Sequence, residues 1–257
     1  MEDLAGAGSG KSEATENFPV ALRLLAPGRR AAVLAFYRQA RAADDIADDP
    51  ALAPEEKIRR LDAMAAERIA SPHLTQLFQA FRQDATKSRY RDWSELLLYC
   101  RFSAVPVGRF LLDLHGESRE AQVSSDALCA ALQVLNHLQD CGDDFRQLDR
   151  VYLPLAWIEA EGAMVDELLG SRASPALRRV FDRTLERVAE LLIQARPLGR
   201  RIVDRRLRLQ AEVTVAVAGR LAAKLRRRDP LARRVRLSRL DYAWVCLVGT
   251  ARWLVRR

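Results

Sequence analysis

Four aspartates, Asp44, Asp45, Asp48 and Asp49, crowd the stretch "RAADDIADDP" from Arg41 to Pro50. They close a segment, "AAVLAFYRQA", that otherwise reads as a helix with one apolar side. The helix dipole disfavours anions at a C-terminal end, and like charges four residues apart repel. Such a cluster calls for a compensating cation. Tyr37, Arg41, Asp44 and Asp48 stand at relative positions 0, 4, 7 and 11, which places them on one stripe of a helix. A second stripe lies in "LQVLNHLQDCGDDFRQLDRVYLP", residues 132–154, where Gln133, Asn136, Asp140 and Asp144 stand at 0, 3, 7 and 11. Leu132, Val134, Leu135 and Leu138 make the other faces apolar, so this helix is largely buried. Buried Asn and Asp need partners, because unpaired buried charge is very costly.

Carboxylates four apart are separated by about 6 Å along the helix axis. Two such stripes facing across a cavity suit hard divalent cations held by oxygen. Mg²⁺ fits best, since it takes one or two carboxylates, keeps waters and completes its shell with phosphate oxygens. The lack of dense His and Cys speaks against zinc. The competing reading is two acid-rich helix ends, solvated or paired with arginine. One isolated DxxxD favours that reading; two matching stripes joined to Tyr, Arg, Gln and Asn favour the metal.

The elements that must position these residues are helical. Segments are expected at about 29–49, 54–70, 72–85, 91–115, 125–146, 162–170, 174–196, 198–228 and 238–255. Pro50, Pro54, Pro72, Pro154, Pro175 and Pro230 punctuate them. No useful length alternates with period two. The expected fold is all-α, a single-domain helical bundle of eight or nine helices with a central cavity, covering residues 17–257 after a disordered leader at 1–16. Pro106, inside "LLLYCRFSAVPVGRFLLDLHG", predicts a kink in one long helix, with small neighbours Ser103, Ala104 and Gly108.

The chain has 257 residues, 12 Gly and 10 Pro, and its Ala, Leu and Arg favour helix. Net charge is +8, and eight Lys/Arg against one acid lie between Lys224 and Arg239. That run lacks aromatic interleaving, which argues against nucleic acid and favours an anionic membrane surface. The cysteines, Cys100, Cys129, Cys141 and Cys246, form no CxxC pair and predict a reducing, cytoplasmic setting without disulfides. "GAGSGKS" at 6–12 has Ala5 where a phosphate-binding loop needs glycine, and no strand precedes it. No stretch is long and apolar enough to span a membrane.

"YRQARAADDIAD" and "NHLQDCGDDF" resemble the two aspartate-rich motifs of the squalene/phytoene synthase family, and "RVYLP" after the second motif also fits. The resemblance runs from about Asn17 to the C-terminus. It implies an isoprenoid-synthase-type fold and ionisation of a prenyl diphosphate with two or three Mg²⁺ ions. "ENFPVALRLL", "SAVPVGR", "LNHLQD", "GRLAAKL" and "RLDYAWV" resemble the bacterial hopanoid subgroup, which turns presqualene diphosphate into hydroxysqualene by water quenching, without NADPH. Two positions depart from the reductive and condensing members: Gln139 stands where they carry Arg, and Phe102 where a tyrosine is usual. The alternatives are condensation of two farnesyl diphosphates and, further off, a non-catalytic assembly factor on the same fold.

The resemblance implies roles. Asp44, Asp48, Asn136, Asp140 and Asp144 would hold the metal. Arg41 would bind a phosphate oxygen, or else pair with Asp45. Tyr37 would face the cation, and Gln133 or Asn136 would place the quenching water. Arg150 and Tyr152 would reach phosphate, with Phe18, Val107 and Gly108 completing the substrate contacts. His137 is expected to point away from the stripe. The enzyme would sit in the cytoplasm or on the inner face of the cell membrane, with neighbouring pathway enzymes as further partners.

Overall fold

A computed structural model describes residues 25–68 and 71–255. The leader at 1–16, the "GAGSGKS" stretch and Phe18 lie outside the described residues. Among those described there are eleven α-helices. The first three are α1 (Pro27–Asp48), α2 (Pro54–Arg68) and α3 (Pro72–Asp84). Then come α4 (Trp93–Ser103), α5 (Val105–Leu114) and the 27-residue α6 (Gln122–Leu148). After them follow α7 (Leu155–Ala160), α8 (Pro175–Ala195), α9 (Leu198–Arg201), α10 (Arg205–Leu225) and α11 (Arg239–Val255). Prolines open α1, α2, α3 and α8, where the missing N–H costs nothing. Asp92 caps α4 by accepting the Glu95 N–H at 3.0 Å, and Ser174 caps α8 by accepting the Leu177 N–H at 3.0 Å.

The all-α reading holds, with local corrections. The kinked helix expected at 91–115 is two helices that break at Ala104, and Pro106 lies in the first turn of α5 rather than inside a helix. The segment expected at 198–228 divides into α9 and α10, because Asp204 caps a new start by accepting the Arg206 and Leu207 N–H groups at 2.9 and 3.0 Å. The expected helix at 162–170 is only a 3₁₀ turn, Val165–Leu169. Helix α7 and a short parallel pair, β1 (Arg89–Tyr90) with β2 (Val151–Pro154), were not expected. Strands of two and four residues are too short to show an alternating pattern.

Two apolar cores divide the described chain. The larger surrounds α6, which packs against α4, α5, α8 and α10. The smaller joins α1, α2 and α3 through Phe36, Ala43, Ala47, Leu61, Leu77 and Phe78. Phe110 of α5 meets this second core, its ring stacked on Phe36 with centroids 4.1 Å apart.

Candidate active site

The two expected stripes exist as such. On α1, Tyr37, Arg41, Asp44 and Asp48 are all half-buried, beside the wholly buried Phe36, Ala43 and Ala47. On α6, Gln133, Asn136, Asp140 and Asp144 are half-buried between the buried Leu132, Val134, Leu135 and Leu138. The off-stripe acids Asp45 and Asp143 are exposed.

Arg150 brings the two motifs together. It follows the end of α6, where Asp149 takes a left-handed conformation at φ 51° and turns the chain. The buried guanidinium donates to Asp48 Oδ1 at 2.5 Å, to the Ala47 carbonyl at 2.9 Å and to the Asp84 carbonyl at 3.1 Å. Burial opposes its charge, but Tyr152, Asp84 and Asp48 raise its pKa above the ordinary arginine value. Lys57 donates to the same Ala47 carbonyl at 2.9 Å, and burial followed by the neighbouring Arg150 lowers its pKa.

The other cations take up the remaining acids. Arg41 donates to Asp44 at 3.0 Å and to Asp45 at 2.6 Å, so the intrahelical pair foreseen for it is present. Burial works against the Arg41 charge, yet Asp44 and Asp45 raise its pKa overall. Arg234 pairs with Asp140, Nε to Oδ1 at 2.6 Å. Gln139 donates to the Val235 carbonyl at 2.5 Å, so two adjacent residues of the C-terminal segment are tied to the second motif. Part of the basic run therefore turns inward, with Val235 and Leu237 buried. His137 also departs from expectation. Its Nδ1 lies 4.0 Å from Asp144 Oδ2, because residues seven apart share a helix face.

A polar hub absent from the sequence reading sits beside this site. Asp84, at the end of α3, accepts the Tyr99 hydroxyl at 2.8 Å and the Tyr152 hydroxyl at 3.3 Å. Burial pushes its carboxyl up to about 7, against the lowering effects of Arg150 and the Tyr99 hydrogen bond. Tyr152 in turn stacks on His137 with ring centroids 3.6 Å apart. Gly108 faces α6, where an added Cβ would stand 2.5 Å from Ser125 Oγ and 2.6 Å from Cys129 Sγ. Neighbouring Val107 is 39% exposed.

The ligand set expected on the stripes, Asp44, Asp48, Asn136, Asp140 and Asp144, offers only oxygen, from four carboxylates and one amide, which suits a hard cation such as Mg²⁺. Among the described residues no three His, Cys, Asp or Glu side chains converge tightly enough to hold an ion by themselves.

The fold is shared with solved structures of squalene and dehydrosqualene synthases. A dehydrosqualene synthase in complex with ligand superposes with a TM-score of 0.76 at 19% identity, over 93% of this chain and 92% of that one. Squalene synthase HpnC from Alicyclobacillus acidocaldarius gives a TM-score of 0.69 at 31% identity, over 82% and 88%. Sequence likeness goes further. The squalene/phytoene synthase family matches residues 12–70 and 61–241. Hydroxysqualene synthase of Rhodopseudomonas palustris is 43% identical over 97% of this chain and 92% of its own length. The Zymomonas mobilis hydroxysqualene synthase is 37% identical over 95% and 90%. The chain belongs to the squalene/phytoene synthase family.

Proposed function

We propose that the protein converts presqualene diphosphate and water into hydroxysqualene and diphosphate. The reading rests on the Arg150 clasp, which sets the second acid motif's exit strand against Asp48 of the first, in a chain so similar to hydroxysqualene synthases. Asp44, Asp48, Asn136, Asp140 and Asp144 would hold Mg²⁺. The metal would act as a Lewis acid on the departing diphosphate. Arg41, Arg150 and Arg234 exchange their carboxylate partners for phosphate oxygens, using the same forked donors. Tyr37, one turn inward, offers a ring face to the cation left when the carbon–oxygen bond breaks. Gln133 and Asn136 present amide groups that orient the water whose oxygen bonds to that carbon, and the water's proton leaves to solvent. No electrons are gained or lost overall, so no NADPH is consumed.

The test is product analysis in ¹⁸O-labelled water. Presqualene diphosphate with Mg²⁺ gives labelled hydroxysqualene, at a rate that NADPH does not alter. The 31% identity to a protein described as a squalene synthase supports a second reading, coupling of two farnesyl diphosphates. Farnesyl diphosphate as sole substrate separates the two: turnover to presqualene diphosphate or squalene favours the second.

A further inference from the structure

Helix α11 has two apolar sides and only one is covered. Its inner side, Val245 and Gly249, is buried in a close contact with α10, where a Cβ at Gly249 would meet Val213 Cγ2 at 2.6 Å. On the opposite arc Leu240, Trp244, Leu247, Ala251 and Leu254 recur at spacings of 4, 3, 4 and 3, and all are exposed. Leu240 is 83% and Leu247 70% exposed. Singly exposed leucines are ordinary, but a continuous stripe about 21 Å long is not.

The surroundings of the stripe choose its occupant. The one carboxylate of α11, Asp241, is buried and held by Arg220 at 2.7 Å and by Lys224, so the exposed arc carries no acid. Cations lie beside it: the Arg220 guanidinium is 5.4 Å from the Trp244 ring centroid, and Arg239 at the start of the helix is exposed. A partner helix on a seam of this spacing is selected by flanking charges of both signs, whereas an acid-free arc with arginine beside it complements an anionic layer. Indole rings and long arginine stems settle where apolar and wet zones meet. No described helix is long and apolar enough to cross a membrane, so the helix would lie in the plane of one.

We infer that the outer face of α11 is an in-plane docking surface for an anionic lipid bilayer. This moves the membrane contact from the basic run at 224–239, part of which is bound to the second acid motif, to the helix after it. The inference does not depend on the reaction proposed above.

Co-sedimentation of the full chain with phosphatidylcholine vesicles, with and without phosphatidylglycerol, tests it. Binding is about tenfold tighter to the anionic vesicles. The double variant Leu247→Glu with Leu254→Glu stays with the supernatant, while its turnover of detergent-dispersed substrate is unchanged. In the unmodified protein, brominated acyl chains quench a fluorescence component that Trp244→Phe removes, a readout independent of the variant's folding. Equal binding of neutral and anionic vesicles overturns the inference, as does an unquenched Trp244. A dimer in sedimentation velocity that the double variant dissociates would hand the surface to a second copy and equally overturn it.

Discussion

The two acid stripes match in spacing and differ in how they are held. The α6 stripe is built into the main core, flanked on both sides by buried leucine and valine. The α1 stripe rides on a smaller core of its own, and its acids are the more exposed: Asp44 is 36% exposed, against 14% for Asp140. Beside the Phe36–Phe110 stack and Ala80 of α3, which is buried in the larger core, polar contacts join the α1–α3 unit to the rest. Arg150 reaches from the main body to Asp48 and two carbonyls, and Asp84 reaches back to Tyr99 and Tyr152. One half of the site is thus set by packing and the other is latched onto it. A diphosphate that displaced the arginines would loosen that latch and supply its replacement.

The comparison breaks most visibly at the latch. Arg150→Met removes the cation and leaves Asp48 and the Asp84 carbonyl short of a donor, while Lys57 still serves the Ala47 carbonyl. Loss of one partner from a buried pair typically costs about 3 kcal/mol. Urea unfolding should show that loss, and a change below about 1 kcal/mol would mean the halves do not depend on the clasp. Gly108→Ala probes the other joint, on the helix that carries Phe110. The new methyl collides with Ser125 and Cys129, costing about 1–2 kcal/mol after the better helix propensity of Ala is credited. A more stable variant would show that the α5–α6 contact has slack.

The smallest effect concerns pH. Burial lifts Asp84 to about 7, so the folded state prefers its neutral form. The folded protein then keeps a proton that the unfolded chain has lost, and this group's contribution to stability falls as pH rises from its unfolded value near 4 through about 7. Asp84→Asn should flatten that component: the difference in unfolding free energy between variant and parent changes across this window and levels off above it. A constant difference would place Asp84 among ordinary carboxylates and weaken the joint.

The stripes were legible because a seven-residue pattern of polar groups inside apolar helices is visible without coordinates. Arg234 was not, since one arginine in a run of eight basic residues looks like its neighbours until the chain turns back over α6. Asp84 was hidden for a related reason. A lone acid at the end of "FRQD" resembles any solvated helix terminus, and its partners are 15 and 68 residues away. The break at Ala104 escaped because Pro106 fits either a kinked helix or the first turn of a new one. Asp204 was equally ambiguous within an apolar-periodic run, although its capping chemistry was written in the sequence.

The central claim is that the acids on the stripes, and not the acids beside them, serve diphosphate departure. Diphosphate release from presqualene diphosphate with Mg²⁺ present tests it directly, comparing Asp140→Asn with Asp143→Asn. Asp140 is a stripe acid paired with Arg234, and Asp143 is an exposed acid paired with Arg146 three residues on. The account predicts a fall of about a thousandfold for Asp140→Asn, equivalent to about 4 kcal/mol of barrier, with the melting temperature little changed. Asp143→Asn should stay within about twofold, as befits a surface ion pair. Full release by Asp140→Asn, or equal losses in both variants, would contradict it.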